Sequence, residues 1–372
     1  MRALVTGGAG FIGGHLARWL LENGHSVRVL DNLTPQVHGE NADPQEILPS
    51  AAEFVLGDVR DATVLRRALE GVDVVFHLAA ETGVGQSMYL VKEYMDCNVG
   101  GTAQLLDLLA NDRQSVQRVV IASSRAVYGE GTCKCAACGP AYPDPRSAEQ
   151  MEAHEWEVKC PACGRITEPL PTEEDSPLRP GSVYAISKRD QEELAFCVGR
   201  AYGISVVALR FFNVYGSGQS LINPYTGIIS IFASRIRSGE PPLIYEDGLE
   251  TRDFVHVSDV VSACILAMTS KQVDYEVVNV GSGTALSVLD MARIMVREMG
   301  GDREPEVIGK YRVGDIRHCH ADLTKARRVL GYEPKVSFDE GIREFLNWAQ
   351  DTRSEDRLSS ATAELERRKL FR

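Results

Sequence analysis

Arg2-Ala3-Leu4-Val5-Thr6-Gly7-Gly8-Ala9-Gly10-Phe11-Ile12-Gly13 decides the fold. Arg2 to Thr6 reads as a short buried strand. A glycine-rich turn follows, and a helical stretch then runs to about Gly24. Gly7 permits the tight turn, Gly10 lets a pyrophosphate approach the backbone, and Gly13 lets helix and strand pack closely. The helix N-terminus turns its free N–H groups and its positive end toward the phosphates. Glycine triplets alone are commonplace. Here a strand precedes, a helix follows, and a second strand (Ser26 to Asp31) ends in an acid 18 residues past Gly13. An acid there accepts hydrogen bonds from an adenosine ribose. Its charge repels a ribose phosphate, which predicts NAD rather than NADP. The expected cofactor contacts are Gly7, Gly10, Phe11, Ile12, Gly13, Asp31 and Asn32.

The same alternation continues. Glu53 to Gly57, Asp73 to His77 and Arg118 to Ser123 are short apolar runs, with helical stretches such as Ala62 to Glu70 and Val99 to Ala110 between them. Strands alternating with helices imply an α/β fold of the Rossmann type, a parallel sheet covered on both faces. Asp58 and Val59, and the turn Leu78-Ala79-Ala80, fall just past strand ends, where such sheets bind ligands.

The bulk numbers are compatible with this. A chain of 372 residues exceeds one small domain. The expected division is a dinucleotide-binding part over 1–210, a smaller α/β substrate part over 211–352 with segments returning to the first, and a charged tail over 353–372. The tail carries a possible helix from Ala361 to Arg372, either a frayed end or a contact with another subunit. A net charge of −12 argues against a nucleic-acid partner, which needs a basic face. No apolar run approaches the roughly 20 residues that span a bilayer, and no leader pattern follows Met1-Arg2. A cytoplasmic location is expected, with its nine cysteines mostly reduced.

Two segments carry the chemistry. One is Ser123-Ser124-Arg125-Ala126-Val127-Tyr128-Gly129, after the fifth strand. The other is Tyr184-Ala185-Ile186-Ser187-Lys188, in a helix expected from about Val183 to Tyr202. Tyr184 and Lys188 share one helix face. An ammonium beside a phenol favours phenolate and lowers a pKa that is ordinarily about 10, so Tyr184 is the candidate base. By itself this spacing is common on solvated helix faces. Behind a dinucleotide fold, with a serine-rich strand end before it, it points to catalysis.

On these motifs the chain resembles the extended short-chain dehydrogenases, within them the nucleotide-sugar epimerase and dehydratase group, over about residues 1–350. The resemblance implies that Ser124 is the catalytic hydroxyl and that Lys188 holds the cofactor ribose. It also implies that Asn98 is a buried structural asparagine beside the cofactor. In Arg210-Phe211-Phe212-Asn213-Val214-Tyr215-Gly216, Thr251-Arg252-Asp253-Phe254-Val255-His256-Val257 and Arg312-Val313-Gly314-Asp315, it assigns Asn213, Arg252 and Arg312 to the substrate diphosphate and Asp315 to the nucleoside ribose. Arginine forks fit phosphate oxygens, and two of them suit a dianion. At the position of Cys319 the family sets the room around the sugar, and a cysteine there suggests a roomy pocket. A homodimer is also expected.

The segment between the two catalytic motifs is unusually long for this family, with Tyr128 and Tyr184 standing 56 residues apart. It holds, within 130–172, Cys135-Ala136-Ala137-Cys138-Gly139 and Cys160-Pro161-Ala162-Cys163-Gly164, with 21 residues between Cys138 and Cys160. Paired C-x-x-C-G turns at such spacing read as a closed four-thiolate zinc site, structural because no coordination position stays open. Reduced free thiols and a redox pair are the alternatives, and Cys133 is a fifth sulfur able to take the place of Cys135.

The shared first step in the family is hydride transfer from a sugar carbon to NAD. A 4,6-dehydratase typically carries Asp-Glu directly after the catalytic hydroxyl, where Arg125-Ala126 stand here. Elimination leaves a 4-epimerase acting on a dTDP- or UDP-hexose. Ser124 and Tyr184 would contact the sugar. The run S-S-R-A-V-Y-G-E-G with its cysteine insertion resembles the dTDP-L-rhamnose 4-epimerase group, and Arg125 departs from the small residue of galactose epimerases. The rival readings are a nucleotide-sugar ketoreductase or dehydratase of the same fold, and a non-catalytic sugar-nucleotide sensor.

Overall fold

The computed structural model describes residues 1–112, 115–225 and 227–372. Seven parallel strands form the central sheet: β1 (Arg2–Thr6), β2 (Ser26–Asp31), β3 (Glu53–Leu56), β4 (Val74–His77), β5 (Arg118–Ser124), β6 (Ser205–Phe211) and β7 (Glu276–Val280). Their spatial order is 7-6-5-4-1-2-3, and every neighbouring pair is parallel. The order reverses at β1, so the crevice beyond its C-terminal end is the ligand-binding switch point of such sheets.

The strands read as continuous apolar runs because both faces are buried. Alternate residues feed two cores. Val5, Val29, Phe76, Val120 and Leu209 pack under the helices Phe11–Glu22 and Val257–Thr269. Leu4, Leu30, Val75, Ile121 and Ala208 pack under Ala62–Leu69 and Gly101–Asn111. Close packing explains Gly13, where a Cβ would lie 2.4 Å from the Gly7 carbonyl oxygen.

A third core joins the helices Ile228–Arg237, Val288–Glu298 and Phe338–Asp351 through Phe232, Met291, Met295 and Phe345. It forms the smaller part beside the crevice. β7 belongs to the second half of the chain yet closes one edge of the large sheet. Among the described residues, no helix is long and apolar enough to cross a membrane.

Some local expectations differ from what is found. The run from Thr251 to Val257 is two short strands, Thr251–Arg252 and Phe254–His256. They are broken at buried Asp253, whose carboxylate accepts from the backbone N–H groups of Ser282, Gly283 and Ala321. The helix before β5 starts at Gly101, because a π-turn occupies Met95–Gly100. The tail helix spans Leu358–Arg367, and the last residues leave it as extended chain. Residues 370–372 pair antiparallel with the segment that bears Arg312. The Tyr311 and Arg372 backbones exchange N–H···O bonds of 2.8 and 3.0 Å, and Val313 N–H bonds to Leu370 O at 2.9 Å. The tail is therefore not frayed; within this chain its end is bonded to the segment that bears Arg312.

Candidate active site

A cavity of about 530 Å³ runs along the C-terminal ends of the strands. Its walls include Gly7, Gly10, Phe11, Ile12, Gly13, Asp31, Asn32, Asp58, Val59, Leu78, Ala79 and Ala80 at one end. Ser124, Arg125, Tyr184 and Lys188 stand in the middle, with Asn213, Arg252, Arg312 and Asp315 beyond. Chain segments far apart in sequence thus face one volume.

Each side chain is placed by a local cause. β5 ends at Ser124, whose hydroxyl accepts from Ala126 N at 3.2 Å and turns the chain. The helix Val183–Tyr202 begins at Ser182, whose hydroxyl accepts from Ala185 N. That cap puts Tyr184 in the first turn, where its backbone N–H also donates to Ser87 Oγ at 3.1 Å. Lys188 follows one turn on, with Nζ 5.9 Å from the centre of the Tyr184 ring. This ammonium donates to Ala122 O at 2.9 Å, and burial lowers it to about 8.

The phenol differs from the sequence expectation. Burial raises the Tyr184 pKa, opposed by a hydrogen bond with Ser124 and by the charge of Arg125. Lys188 gives one of its three ammonium donors to the Ala122 carbonyl and lies 5.9 Å from the centre of the phenol ring. Two groups that favour phenolate, Ser124 and Arg125, are on the β5 turn.

Asp31 accepts from the backbone N–H groups of Ala9 (3.0 Å) and Leu33 (2.9 Å). Its nearest base is His38 at 3.7 Å, which burial lowers below its ordinary pKa and so keeps neutral near pH 7. Asp58 is gripped by Arg60 at 2.6 and 2.8 Å, which lowers its pKa. Asn98 is not on the cavity wall. It sits fully buried behind it, accepting from Glu81 N (2.8 Å) and donating to Glu81 O (3.1 Å) and Ser187 Oγ (2.9 Å). It ties the loop after β4 to the Tyr184 helix.

The arginines of the far end are held rather than loose. Arg252 donates to the carbonyls of Thr251, Ile316 and Arg317 at 2.8 to 2.9 Å. Arg312 Nε lies 3.1 Å from both oxygens of Asp315. Cys319 is buried behind this region, 3.7 Å from the Cβ position of Gly131.

In the insertion, Cys133–Cys135, Gly139–Ala141 and Glu168–Pro169 form a small antiparallel sheet. Cys135, Cys138, Cys160 and Cys163 bring their sulfurs within 4.8 Å of one another, whereas Cys133 lies outside the group. Gly139 and Gly164 follow the knuckles at φ 82° and 73°, a turn that a side chain would strain.

Sequence reasoning missed how the insertion is fastened. Arg146 donates to Glu246 at 2.8 and 2.9 Å and to Asp315 O at 3.1 Å. Glu157, lowered to about 2 by His318 and Arg317, bonds both. The insertion is thereby clamped to the loop that carries Arg312 and Asp315. Its signal in the sequence is faint: isolated charges in a long insertion read as solvated.

The tail was missed too, although Leu370-Phe371 is an apolar pair in a charged stretch. Phe371 is 4% exposed. Its ring packs 4.8 Å from that of Tyr245, and the Arg312 guanidinium lies 5.9 Å over the same tyrosine. Changing Phe371 to alanine is expected to let both cavity-lining residues shift, raising KM for the substrate on the order of tenfold. Bound cofactor should be unaffected. Steady-state kinetics alongside cofactor titration checks this; unchanged KM overturns it.

Comparison with known proteins agrees with this geometry. The model of the NAD dependent epimerase/dehydratase family matches residues 3–148 and 160–281. A dTDP-L-rhamnose 4-epimerase of Burkholderia thailandensis is 39% identical over 93% of this chain and 94% of its own length. The UDP-glucose 4-epimerase of Thermotoga maritima, solved with UDP-glucose, superposes with a TM-score of 0.78 at 32% identity, covering 94% of this chain and 99% of that one. The Thermus thermophilus UDP-glucose 4-epimerase, solved with NAD, gives 0.76 at 30% identity, covering 95% and 100%.

Proposed function

The chain belongs to the NAD dependent epimerase/dehydratase family, and from that premise we propose that it inverts carbon 4 of a hexose joined to dTDP or UDP. One observation carries the reading. Ser124, Tyr184 and Lys188 stand in a single cavity between a dinucleotide-type strand edge and a pair of arginines suited to a diphosphate. The relatives' substrates, dTDP-L-rhamnose and UDP-glucose, are of this class.

The residues fit NAD. Backbone at Gly7, Gly10 and Gly13 leaves room for a pyrophosphate at a helix N-terminus, Asp31 is aimed to accept from a ribose, and Lys188 reaches into the same space. When bound, NAD supplies the acceptor and later the donor of the hydride at carbon 4. Tyr184 Oη takes the 4-hydroxyl proton and gives it back to the other epimer, while Ser124 donates a hydrogen bond to the same oxygen. Asn213, Arg252 and Arg312 hold the diphosphate, and Asp315 holds the nucleoside ribose. Nothing beside Ser124 offers the acid pair of a dehydratase, since Arg125 and Ala126 follow it.

The test is incubation of the purified protein with a panel of dTDP- and UDP-hexoses, products followed by NMR. Inversion at carbon 4 without added reductant is expected. Products dehydrated, or reduced at the expense of external NADH, would overturn the reading in favour of a dehydratase or ketoreductase. Cofactor choice is a separate expectation. With a carboxylate at Asp31 and neutral His38 beside it, NAD should bind roughly a hundredfold more tightly than NADP. Equal affinities in a fluorescence titration would refute this.

We also assign one structural Zn²⁺ to Cys135, Cys138, Cys160 and Cys163. A tetrahedron with bonds of about 2.3 Å spaces its sulfurs about 3.8 Å apart. The four sulfurs here, including the 3.5 Å Cys135–Cys163 pair, are close to that spacing. A cytoplasmic setting would keep them reduced.

A further inference from the structure

Arg146 belongs to the insertion, yet its side chain is only 2% exposed. Each of its five N–H donors has an acceptor. Nε donates to Glu130 Oε1 at 3.1 Å and Nη1 to Trp156 O at 3.0 Å. Nη1 and Nη2 form a fork on the Glu246 carboxylate at 2.8 and 2.9 Å, and Nη2 also donates to Asp315 O at 3.1 Å. Glu246 itself is strained, with a φ of 50° in the left-handed region that side chains disfavour. Of the non-glycine residues with positive φ among the described residues, it alone stands on the cavity wall. A glycine makes such a turn freely, as Gly248 does two residues on at φ 79°. What glutamate adds is a carboxylate for the fork. Strain of this kind persists only where the surroundings over-determine it, and it collects at ligand sites.

We propose that Arg146 and Glu246 are positioning residues for the nucleoside-diphosphate end of the substrate: the fork holds the Glu246 turn left-handed, and the turn sets the Tyr245 ring that precedes it on the cavity wall. This rests on the nucleotide-sugar reading above. Arg146 lies behind that wall and acts only through the turn and its loop. Tyr245 lines the cavity, its carbonyl accepts from Gly248 N at 3.1 Å, and Glu246 N donates to Lys310 O at 2.8 Å. The turn is thus tied to the segment leading into Arg312, whose guanidinium lies 5.9 Å from the centre of the Tyr245 ring. The Arg146 bond to Asp315 O holds the other side of the same loop. None of these bonds reaches the NAD end of the cavity.

Glu246→Ala and Glu246→Gly delete the same ion pair and differ in what the backbone tolerates. Calorimetry on the holoenzymes would measure binding of free UDP and dTDP, with bound NAD assayed in parallel. Glu246→Ala should lose on the order of tenfold in affinity for whichever diphosphate wild type binds, because an unheld left-handed alanine relaxes. Glu246→Gly should stay within about threefold of wild type, since glycine keeps the turn unaided. Arg146→Met should lose as Glu246→Ala does, and adding Glu246→Gly to it should recover most of that loss. Bound NAD should be unchanged throughout. Equal losses in the alanine and glycine variants would make the ion pair an ordinary fold-holding contact and overturn the proposal. So would wild-type affinity in Glu246→Ala, or NAD lost in the same proportion as the diphosphate. The alanine and glycine pair decides even where Arg146→Met fails to fold. A wild type that binds neither diphosphate overturns this proposal and the nucleotide-sugar reading together. One that binds a diphosphate but inverts no sugar removes only the 4-epimerase reading, because binding alone reports the positioning.

Discussion

Tyr184→Phe is expected to lower turnover on the order of a hundredfold or more while fold and bound cofactor persist. In the proposed reaction the phenolic oxygen, on the cavity wall, takes a proton from a sugar hydroxyl. Burial alone would make it a poor base, for it raises the pKa. Ser124 and Arg125 act in the opposite direction, and they do so from the strand end that the substrate must approach. Removing the oxygen leaves the ring, whose helix is still capped by Ser182 and anchored through Ser87. KM should therefore move little compared with kcat. Near-normal kcat would remove Tyr184 from the proton path. Loss of bound NAD in the variant would instead show a structural role.

Legibility followed the range of the interactions. The glycine turn, the Asp31 strand end and the Tyr184–Lys188 spacing are local, so each could be read from a dozen residues. The large sheet followed from alternation, because strands buried on both faces must be apolar throughout. What escaped reading depends on partners far apart in sequence. Arg125 looked like a mere departure until its Nε was seen on Asn213, 88 residues on. Asn98 was expected as a buried structural asparagine and is buried, but its partners, Glu81 and Ser187, could not be read from its neighbours in sequence. The influence of Lys188 on the phenol was expected from spacing alone. Spacing puts both on one helix face, but does not reveal that one ammonium donor goes to Ala122 on the strand behind. The Leu370–Arg372 strand had no periodicity to announce it, since one bridge makes no pattern.

Changing Cys160 and Cys163 together to serine is expected to abolish the metal and raise the substrate KM on the order of tenfold or more. Neutral hydroxyls are poor zinc ligands, and two of four is too many to lose from a closed site. Metal binding and local folding are one event in such modules, so the knuckles should open. The consequence travels by the contacts that fasten the insertion to the substrate loop. Arg146 bridges Glu130, Glu246 and the Asp315 carbonyl, and Glu157 holds Arg317 and His318. Arg317 is fully buried and would keep Glu246 and Asp247, so losing Glu157 should loosen its loop rather than leave its charge unpaired. Arg312 and Asp315 precede it by a few residues and should lose their register. The NAD end of the cavity touches none of these groups and should keep its affinity. Elemental analysis gives the first reading, with about one zinc per chain in wild type and none in the variant. Metal-free wild type, purified without chelator and with its four sulfurs unbonded to one another, would end the zinc assignment. A variant that loses zinc yet keeps its substrate KM would retain the metal and overturn the coupling between module and substrate loop.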